Sequence, residues 1–442
     1  MNEITNDSRM FETEKISKIL LRLAPPVMFA QLIQALYNIV DSYFVGKFSG
    51  DALTALSVIF PIQFTIIALG VGTGVGVNTY MAFLFAHNRK KEADETAGSG
   101  AIFAILMWAI FALLSIFFLK YYVSLSATSP MAIKYSNIYG QIVCVGSLGI
   151  FLESIFTKVH QASGDMKTPM IAQICGALVN IVLDPLLIFG LGFFPKMGVA
   201  GAAIATVAGQ FIAAFITGAG ALKKPPVFSK ILSYGKRIYR LGYPQIFMQL
   251  LMTLYIVVLN IILAGFCDEA VTVLGLYYKI QTFFFIPLFA LQTCIVPVLS
   301  YNYARKNNDR CVKIVSTSIG SSVVFMLIGV FCFEFLPELL ITLFSSDKNV
   351  LDIGIHAFRI IGLSFVPAVF SLIYPVFFQA IGAAKPSILL AITRQIFCLI
   401  PIFAVLSLIG LNYVWFAFPL SEIITGGIGF LLYAKWKRNA TT

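Results

Sequence analysis

Charge is scarce in this sequence. Asp, Glu, Lys and Arg make up 12% of its 442 residues, whereas a soluble domain has about 25%. The seven Cys residues are scattered, and no two of them form a Cys-x-x-Cys pair. We therefore expect neither a disulfide framework nor a zinc site, and we interpret the Cys residues as small core residues. This composition excludes most soluble enzymes.

Nucleotide-binding motifs are also missing. The glycine-rich run GVGTGVGV at residues 70–77 has a spacing of two, which fits neither the dinucleotide fingerprint nor the P-loop, and it lacks the P-loop lysine. Glycines inside an apolar run are typical of close helix packing. We expect no nucleotide cofactor, so ATP is not the energy source.

Long apolar runs are abundant. Hydrophobic residues make up 59% of the chain, enough for about a dozen spans of roughly 20 residues, and the runs lack the alternation of an outer-membrane strand. The sequence therefore predicts an all-α polytopic membrane protein. We place its twelve transmembrane helices near residues 17–46, 52–85, 94–122, 131–158, 169–191, 198–222, 239–265, 271–302, 312–343, 350–380, 386–410 and 413–436.

The basic residues predict the orientation. The side of the membrane that holds the amino terminus carries 23 Lys and Arg residues, and the opposite side carries 5. Both termini should therefore be cytoplasmic in the plasma (inner) membrane. We interpret 1–16 as a cytoplasmic segment without a cleaved leader and 437–442 as a cytoplasmic tail. The basic segment 223–238 is predicted to be a cytoplasmic linker between an N-lobe at 17–222 and a C-lobe at 239–436, and not a nucleic-acid site.

An internal repeat supports two lobes. Placing Arg22 opposite Arg240 defines a repeat offset that aligns 22–56 with 240–274, with 13 of 35 positions identical. The same offset aligns Gln-Ala-x-Gly-x-x-Lys at 161–167 with its copy at 379–385. The sequence therefore predicts two pseudo-symmetric six-helix bundles in parallel orientation. Such repeats are typical of secondary transporters.

Residues that differ between the repeats are candidates for function. We assign three acids to the middle of spans, Asp41, Glu153 and Asp184, all in the N-terminal half. A carboxylate inside a bilayer is costly unless it is protonated, paired or facing water. A structural hydrogen bond between helices is the alternative for Asp41 and Asp184. For Glu153 we hold open a simple pairing with Lys158 or His160.

The helical faces agree with this interpretation. Two polar stripes follow helical spacing, one on the first span and one on the fifth, and they could face a cavity in the N-lobe. Their residues are Gln34, Tyr37, Asn38 and Asp41 on the first span, and Gln173, Asn180 and Asp184 on the fifth.

These residues resemble a known family. Asp41, Asn180-x-x-x-Asp184-Pro185, the run GVAGAAIAT at 198–206 and the turn QASGDMKTP from residue 161 are similar to the multidrug and toxic compound extrusion (MATE) family, and the DinF-like, MepA-type branch fits best. The resemblance covers essentially the whole chain. It implies that Asp41, Asn180 and Asp184 bind H+ or Na+, with Thr206 and the carbonyl of Ala202 as sodium ligands.

Polar, aromatic and methionine side chains are candidates for a substrate cavity. Such surfaces suit bulky organic cations, whereas a lysine there would favour anionic or zwitterionic cargo. We assign to this cavity Met28, Gln34, Tyr37, Asn38, Glu153, Gln173, Gln245, Gln249, Met252, Tyr255, Tyr277 and Lys279.

The main hypothesis is a secondary active exporter of organic, amphipathic cations, driven by H+ or Na+ and working by alternating access. A flippase for a lipid-linked or anionic precursor is the alternative, although only Lys279, Arg359 and Arg394 remain inside spans once the bases near the span ends are counted with the two membrane sides. The pattern His160-x-x-x-x-Asp165 matches membrane acyltransferases, but the repeat identifies it as a shared turn between helices, and we do not expect an enzyme. A major-facilitator protein would carry a GxxxDR loop, which is absent. We expect a monomer in the lipid bilayer, with a small-molecule substrate and no nucleic-acid partner.

Overall fold

The computed structural model describes residues 10–126, 129–192, 194–344 and 347–441, and within these ranges the regular structure is helical. The first seven helices come before the segment at 222–227: α1 Ile16–Phe48, α2 Gly50–Ala86, α3 Lys90–Ser126, α4 Pro130–Gly146, α5 Leu148–Ser163, α6 Lys167–Phe189 and α7 Val199–Ala221. The others follow it: α8 Phe228–Ala264, α9 Asp268–Ala304, α10 Asn308–Phe335, α11 Pro337–Thr342, α12 Lys348–Gly362, α13 Phe365–Ala380, α14 Ala384–Ile392, a π-helical stretch Thr393–Leu399, α15 Ile400–Ser407, α16 Leu411–Val414 and α17 Ala417–Thr441.

The helices are long and apolar enough to cross a membrane. Ten pass as single spans, and the number rises to twelve when each of two bent helix pairs counts as one span. The pairs α4 with α5 and α12 with α13 bend by 43° and 52°. The prediction of an all-α polytopic membrane protein is confirmed, but the fourth and tenth spans are each two helices rather than one.

The repeat is visible in the helix boundaries. Helix α9 starts and ends one repeat offset after α2, and α10 starts one repeat offset after α3. Asn88 and Lys306, which the offset also aligns, have φ angles of 58° and 59°. Gly164 and Gly382 follow α5 and α13 with φ angles of 93° and 78°, which glycine adopts without steric cost. The duplicated motif is thus a turn between helices, as the sequence predicts.

The chain divides into two compact units. Unit 1 contains residues 1–10 and 25–246, and unit 2 contains residues 11–24 and 247–442. The division therefore lies inside α1 and inside α8, and it differs from the predicted lobes at 17–222 and 239–436. Residues 11–24, which include the first part of α1, belong to unit 2.

The predicted linker is mostly helical. Helix α8 begins at Phe228 and not near residue 239, so the basic segment 223–238 is largely the first part of a long helix. Tyr234 is buried there and donates a hydrogen bond of 2.6 Å to Glu95 Oε2, and Arg237 donates to the Tyr80 hydroxyl. Counting charges located the basic segment but missed these contacts, which hold it in a helix.

Glycines bring α2 against its neighbours in unit 1. A Cβ on Gly76 would lie 2.1 Å from the carbonyl oxygen of Ile238 on α8, and one on Gly242 would lie 2.4 Å from the carbonyl oxygen of Gly72. On the other side, a Cβ on Gly74 would lie 2.8 Å from the carbonyl oxygen of Ser154 on α5. The glycine-rich run therefore serves close helix packing, as the sequence predicts.

The amino-terminal clasp, residues 11–14, is fastened to unit 2. The Phe11 side chain is 0% exposed, and its carbonyl oxygen accepts hydrogen bonds from Asn302 Nδ2 at 3.0 Å and Arg310 Nε at 2.8 Å. Glu12 forms a salt bridge of 3.3 Å with Arg305. Residues 11–14 are therefore an integral part of unit 2.

Candidate functional site

Two carboxylates meet inside unit 1. Asp41 on α1 is 8% exposed and Asp184 on α6 is 0% exposed. Their carboxyl groups lie within hydrogen-bonding distance of each other, and the Oδ1 atom of each is buried without a hydrogen-bond partner. Neither forms a salt bridge with a Lys or Arg among the described residues. A buried pair of acids without a base needs a cation or a proton to compensate its charge.

Asn180 and Thr206 lie next to this acid pair. With its amide nitrogen facing the carboxylate, Asn180 donates to Asp184 Oδ2 at 3.3 Å, and its oxygen accepts from the backbone N–H of Thr206 at 3.2 Å. Pro185 follows Asp184 inside α6 and removes one backbone donor there. Four of the five residues predicted for cation coupling are thus brought together.

The fifth, Ala202, lies beside them. It is buried in a core cluster of unit 1 that also contains Val45, Ile59 and Tyr139. Its side chain serves packing in this cluster. The sodium-ligand role predicted for its carbonyl oxygen stays a prediction.

Sequence reasoning missed two polar residues of this region. The Gln63 side-chain amide on α2 donates to the Tyr139 hydroxyl on α4 at 3.3 Å. That hydroxyl also lies near the Thr206 side chain and within electrostatic range of Asp41. Gln63 lies inside a predicted span, so its polarity there was the available signal.

Glu153 has its own partners. Its Oε1 accepts a hydrogen bond of 2.8 Å from Thr157, and the Gln173 side chain is a further partner. Tyr37 lies within electrostatic range of Glu153 as well as of the Asp41–Asp184 pair. Glu153 and the acid pair therefore share Tyr37 as a neighbour. Lys158 donates to Gln161 at 2.8 Å and lies within electrostatic range of Glu153.

His160 does not pair with Glu153. Its Nδ1 lies 3.0 Å from Asp165 Oδ2 and its Nε2 lies 2.9 Å from the Thr217 carbonyl oxygen, so both ring nitrogens are engaged in the turn after α5. Partial burial opposes ionisation of Asp165, but hydrogen bonds from His160 and Thr168 outweigh it and hold the pKa of this carboxyl well below its ordinary value. The acyltransferase-like pattern is therefore a turn between helices that these hydrogen bonds stabilise.

The other cavity candidates of unit 1 are more open. Gln34 and Asn38 are exposed, and Met28 and Gln245 are partly buried. Because α1 turns Asp41 inward and Asn38 outward, the predicted stripe is not a single buried face.

Unit 2 contains a buried ion pair that the sequence reasoning missed. Arg394 Nη2 lies 2.6 Å from Glu422 Oε1, and 19% of the Arg394 side chain and 7% of the Glu422 side chain are exposed. The Ser371 hydroxyl donates to Glu422 Oε2. The statement that all mid-span acids lie in the N-terminal half is wrong, because Glu422 lies inside the predicted span at 413–436. Arg394 balances the charge of Glu422, so this acid needs no ion.

The predicted residues of unit 2 divide into two groups. Tyr255 and Tyr277 are buried and lie within electrostatic range of Arg394 and Glu422. Gln249 is partly buried, and Met252 and Lys279 are exposed.

Comparison with known proteins agrees with the duplicated fold. The sequence profile of the MatE family matches residues 26–186 and again 244–405, and the two matches begin at positions that the repeat offset aligns. The chain is 22% identical over 419 residues to a FAD transporter of Shewanella oneidensis, covering 93% of each chain. It is 23% identical over 423 residues to the multidrug export protein MepA of Staphylococcus saprophyticus, covering 94% of this chain and 92% of that one. It is 25% identical to a probable multidrug resistance protein NorM of Thermotoga maritima, covering 80% of this chain and 77% of that one.

Solved structures show the same fold. A MATE protein in complex with MaL6 superposes with a TM-score of 0.91 at 22% identity, over 98% of both chains. A MOP superfamily transporter of Pyrococcus furiosus, described as having a binding pocket of reversed polarity, gives a TM-score of 0.89 at 23% identity, again over 98% of both chains. Because the family profile matches most of the sequence in both repeats, the chain belongs to the MatE family of membrane transporters.

Proposed function

We propose that this protein exports organic compounds across the plasma membrane in exchange for H+ or Na+, and that the ion binds at Asp41 and Asp184. The observation that carries the proposal is the contact of two buried carboxyl groups with no described base beside them. The chain's place among MATE transporters supports transport rather than catalysis, and relatives named as multidrug exporters support organic substrates.

The donor set suits either ion. Two carboxylate oxygens, Asp41 Oδ1 and Asp184 Oδ1, are buried without a partner, and Asn180 lies beside Asp184 with Thr206 next to it. Oxygen ligands of this kind suit a hard cation. A proton shared between the two carboxyl groups would equally relieve their repulsion. Binding of either ion therefore changes the charge of a buried site, and a charge change of this size can bias two access states.

Exchange needs opposite preferences. If the ion binds the outward-facing state more tightly and the organic compound binds the inward-facing state more tightly, each drives the other across. With both termini in the cytoplasm, as the basic residues predict, substrate would leave on the opposite side. The transporter would work as a monomer in the bilayer.

The test is ethidium efflux from vesicles under an imposed pH gradient or sodium gradient. Asp41→Asn removes one of the two charges while keeping the side-chain volume. We expect efflux that depends on one gradient in the wild type, and loss of that dependence in Asp41→Asn. The gradient that drives the wild type identifies the coupling ion.

A matched acid provides the control. Asp352 on α12 is exposed, and Asp352→Asn makes the same chemical change outside the site. We expect this variant to behave as the wild type does. Unchanged, gradient-dependent efflux in Asp41→Asn would contradict the proposal.

A second candidate is transport of an anionic aromatic compound. Two observations favour it: the relative in Shewanella oneidensis is named a FAD transporter, and unit 2 contains Arg394. A flippase for an anionic precursor would use the same base. Of the bases counted for that alternative, Lys279 and Arg359 are exposed, which leaves Arg394 as the single partly buried base for an anionic head group, so we rank the flippase lower.

A further inference from the structure

The ion pair of unit 2 has two neighbours, Ser371 and Tyr255, that the repeat offset aligns with neighbours of the acid site of unit 1. Ser371 aligns with Glu153, and Tyr255 aligns with Tyr37. Arg394 lies one helical turn before Cys398, the residue that aligns with Asn180. The duplicated scaffold thus places polar groups at equivalent points of both units, but unit 2 supplies its own cation.

The hydrogen-bonding capacity of this pair is unequal. Glu422 accepts at Oε1 from Arg394 Nε at 2.9 Å and Nη2 at 2.6 Å, and at Oε2 from Nε at 3.1 Å and from the Ser371 hydroxyl. A carboxylate has about four acceptor sites, so Glu422 has none left. Arg394 has five N–H groups, and none of the hydrogen bonds among the described residues uses its Nη1. The pair can therefore still donate hydrogen bonds through Arg394 Nη1, but it cannot accept more at Glu422.

The backbone at Arg394 is irregular. Residues Thr393–Leu399 form a π-helical stretch between α14 and α15. Such stretches are rare, and they frequently mark functional sites because they widen the helix and redirect side chains. With 19% of its side chain exposed, Arg394 is held by Glu422 and is not fully enclosed.

Three tyrosines lie near the ion pair. Tyr277 and Tyr278 have ring centroids 5.0 Å apart, and Tyr255 and Tyr278 have centroids 6.3 Å apart. Arg394 lies within electrostatic range of all three hydroxyls. Tyr255 and Tyr277 are buried, and Tyr278 is partly exposed, so Tyr278 is the ring of the three that offers flat apolar contact surface.

We propose that Arg394, oriented by Glu422 and Ser371, binds the anionic group of an aromatic substrate, a carboxylate or a phosphate, while Tyr278 contacts its ring system. The free guanidinium edge presents two N–H groups to an oxyanion, a geometry that lysine cannot provide. The inference deepens the proposed function by naming a substrate class: compounds that join a flat ring system to an acidic group. It rests on that function only for the transport step, because binding is measured without any gradient.

The test uses two flavins that differ by one group. FMN carries a phosphate on the ribityl chain, and riboflavin does not, so the ratio of their dissociation constants isolates the anionic contact. Flavin fluorescence is quenched by nearby tyrosines and reports binding to the purified full-length protein in detergent. We expect the wild type to bind FMN at least ten times more tightly than riboflavin.

The charge-balanced double variant Arg394→Gln with Glu422→Gln replaces the guanidinium by a neutral amide and leaves no buried charge. We expect its FMN to riboflavin ratio to fall to within twofold of one. Arg394→Lys keeps the charge beside Glu422 but removes the planar edge, and its FMN preference should fall at least threefold, which decides the matter if the double variant does not fold. A ratio near one in the wild type would overturn the proposal, and so would an unchanged ratio in both variants.

An exposed base controls for general attraction of phosphate to a basic protein. Lys313 on α10 is exposed, and Lys313→Gln should leave the ratio unchanged. If Lys313→Gln lowers the ratio as much as Arg394→Lys does, the preference is nonspecific and the proposal fails. Gradient-driven ethidium efflux in the wild type is a separate measurement, so failure of the proposed function and failure of the flavin test are distinguishable.

Discussion

The packing of α2 against α8 gives a prediction that does not depend on function. A Cβ on Gly76 would lie 2.1 Å from the carbonyl oxygen of Ile238 and 3.0 Å from the backbone nitrogen of Gly242. Both are backbone atoms, so no side-chain rotation relieves the overlap, and the two helices must move apart by roughly 1 Å to restore a normal contact.

The cost follows from two opposing effects. Overpacking of this kind costs about 1 to 3 kcal/mol, and replacing a helical glycine by alanine returns about 0.5 to 1 kcal/mol. We expect Gly76→Ala to lower the free energy of unfolding by about 1 to 2 kcal/mol, a drop of about 1 to 2 °C in Tm for a chain of this length. Gly242→Ala should have a similar effect, because its Cβ would lie 2.4 Å from the Gly72 carbonyl oxygen.

The double variant sharpens this prediction. Both substitutions demand the same separation of α2 from α8, so once one has moved the helices the other costs less. The loss in the double variant should therefore be smaller than the sum of the two single losses. The assay is thermal unfolding of the purified protein in detergent, followed by tryptophan fluorescence.

Gly275 on α9 is the matched control. A Cβ there meets no heavy atom within 4 Å, so Gly275→Ala should raise the Tm slightly through helix propensity alone. Gly76→Ala at or above the wild-type Tm would refute the packing argument. Strictly additive losses in the double variant would refute the shared separation.

Two further predictions concern other parts of the chain. Phe11→Ala empties a fully buried position and should weaken docking of the amino-terminal clasp by about 3 kcal/mol, seen as faster hydrogen exchange at residues 11–14, whereas Phe228→Ala, at a side chain 90% exposed, should change nothing. Asp165→Asn should lower the Tm at pH 7, because hydrogen bonds from His160 and Thr168 favour the ionised form of Asp165. The depressed pKa means that this stabilisation is present above the ordinary carboxyl pKa of about 4 and is lost as the pH falls through the folded value. Wild type and variant should therefore converge as the pH falls below about 4, and a Tm difference that stays constant there would contradict the assignment.

Much of the fold could be predicted because the sequence is duplicated. The offset that aligns Arg22 with Arg240 also relates the boundaries of α2 to those of α9. The bends after Gly146 and Gly362 could not be predicted, because hydropathy measures how apolar a segment is and carries no information on its direction. The early start of α8 was missed because a basic segment is typical of a loop, and the hydrogen bond from Tyr234 to Glu95 that holds it depends on tertiary structure.

The candidate site was predicted in part. Asp41 and Asp184 were found because an acid inside an apolar span is costly wherever the helix faces, and Asn180 was found because it lies one helical turn before Asp184. Tyr139 gave no such signal, since a tyrosine is common in a span and its role depends on which hydroxyl or carboxyl it meets. Glu422 and Arg394 are 28 residues apart on different helices, so their pairing depends on tertiary structure.

The clasp at residues 11–14 comes before the first sequence repeat but packs in unit 2, so the second repeat expressed alone lacks part of its own packing. If the gene were cut between the repeats, within residues 222–227, the first fragment would carry away Phe11, which fills a buried position in unit 2. The second fragment would then expose the vacated surface near Asn302 and Arg310. Co-expressed halves should therefore recognise each other through the clasp, and a synthetic peptide of residues 1–15 should rescue a second half expressed without it.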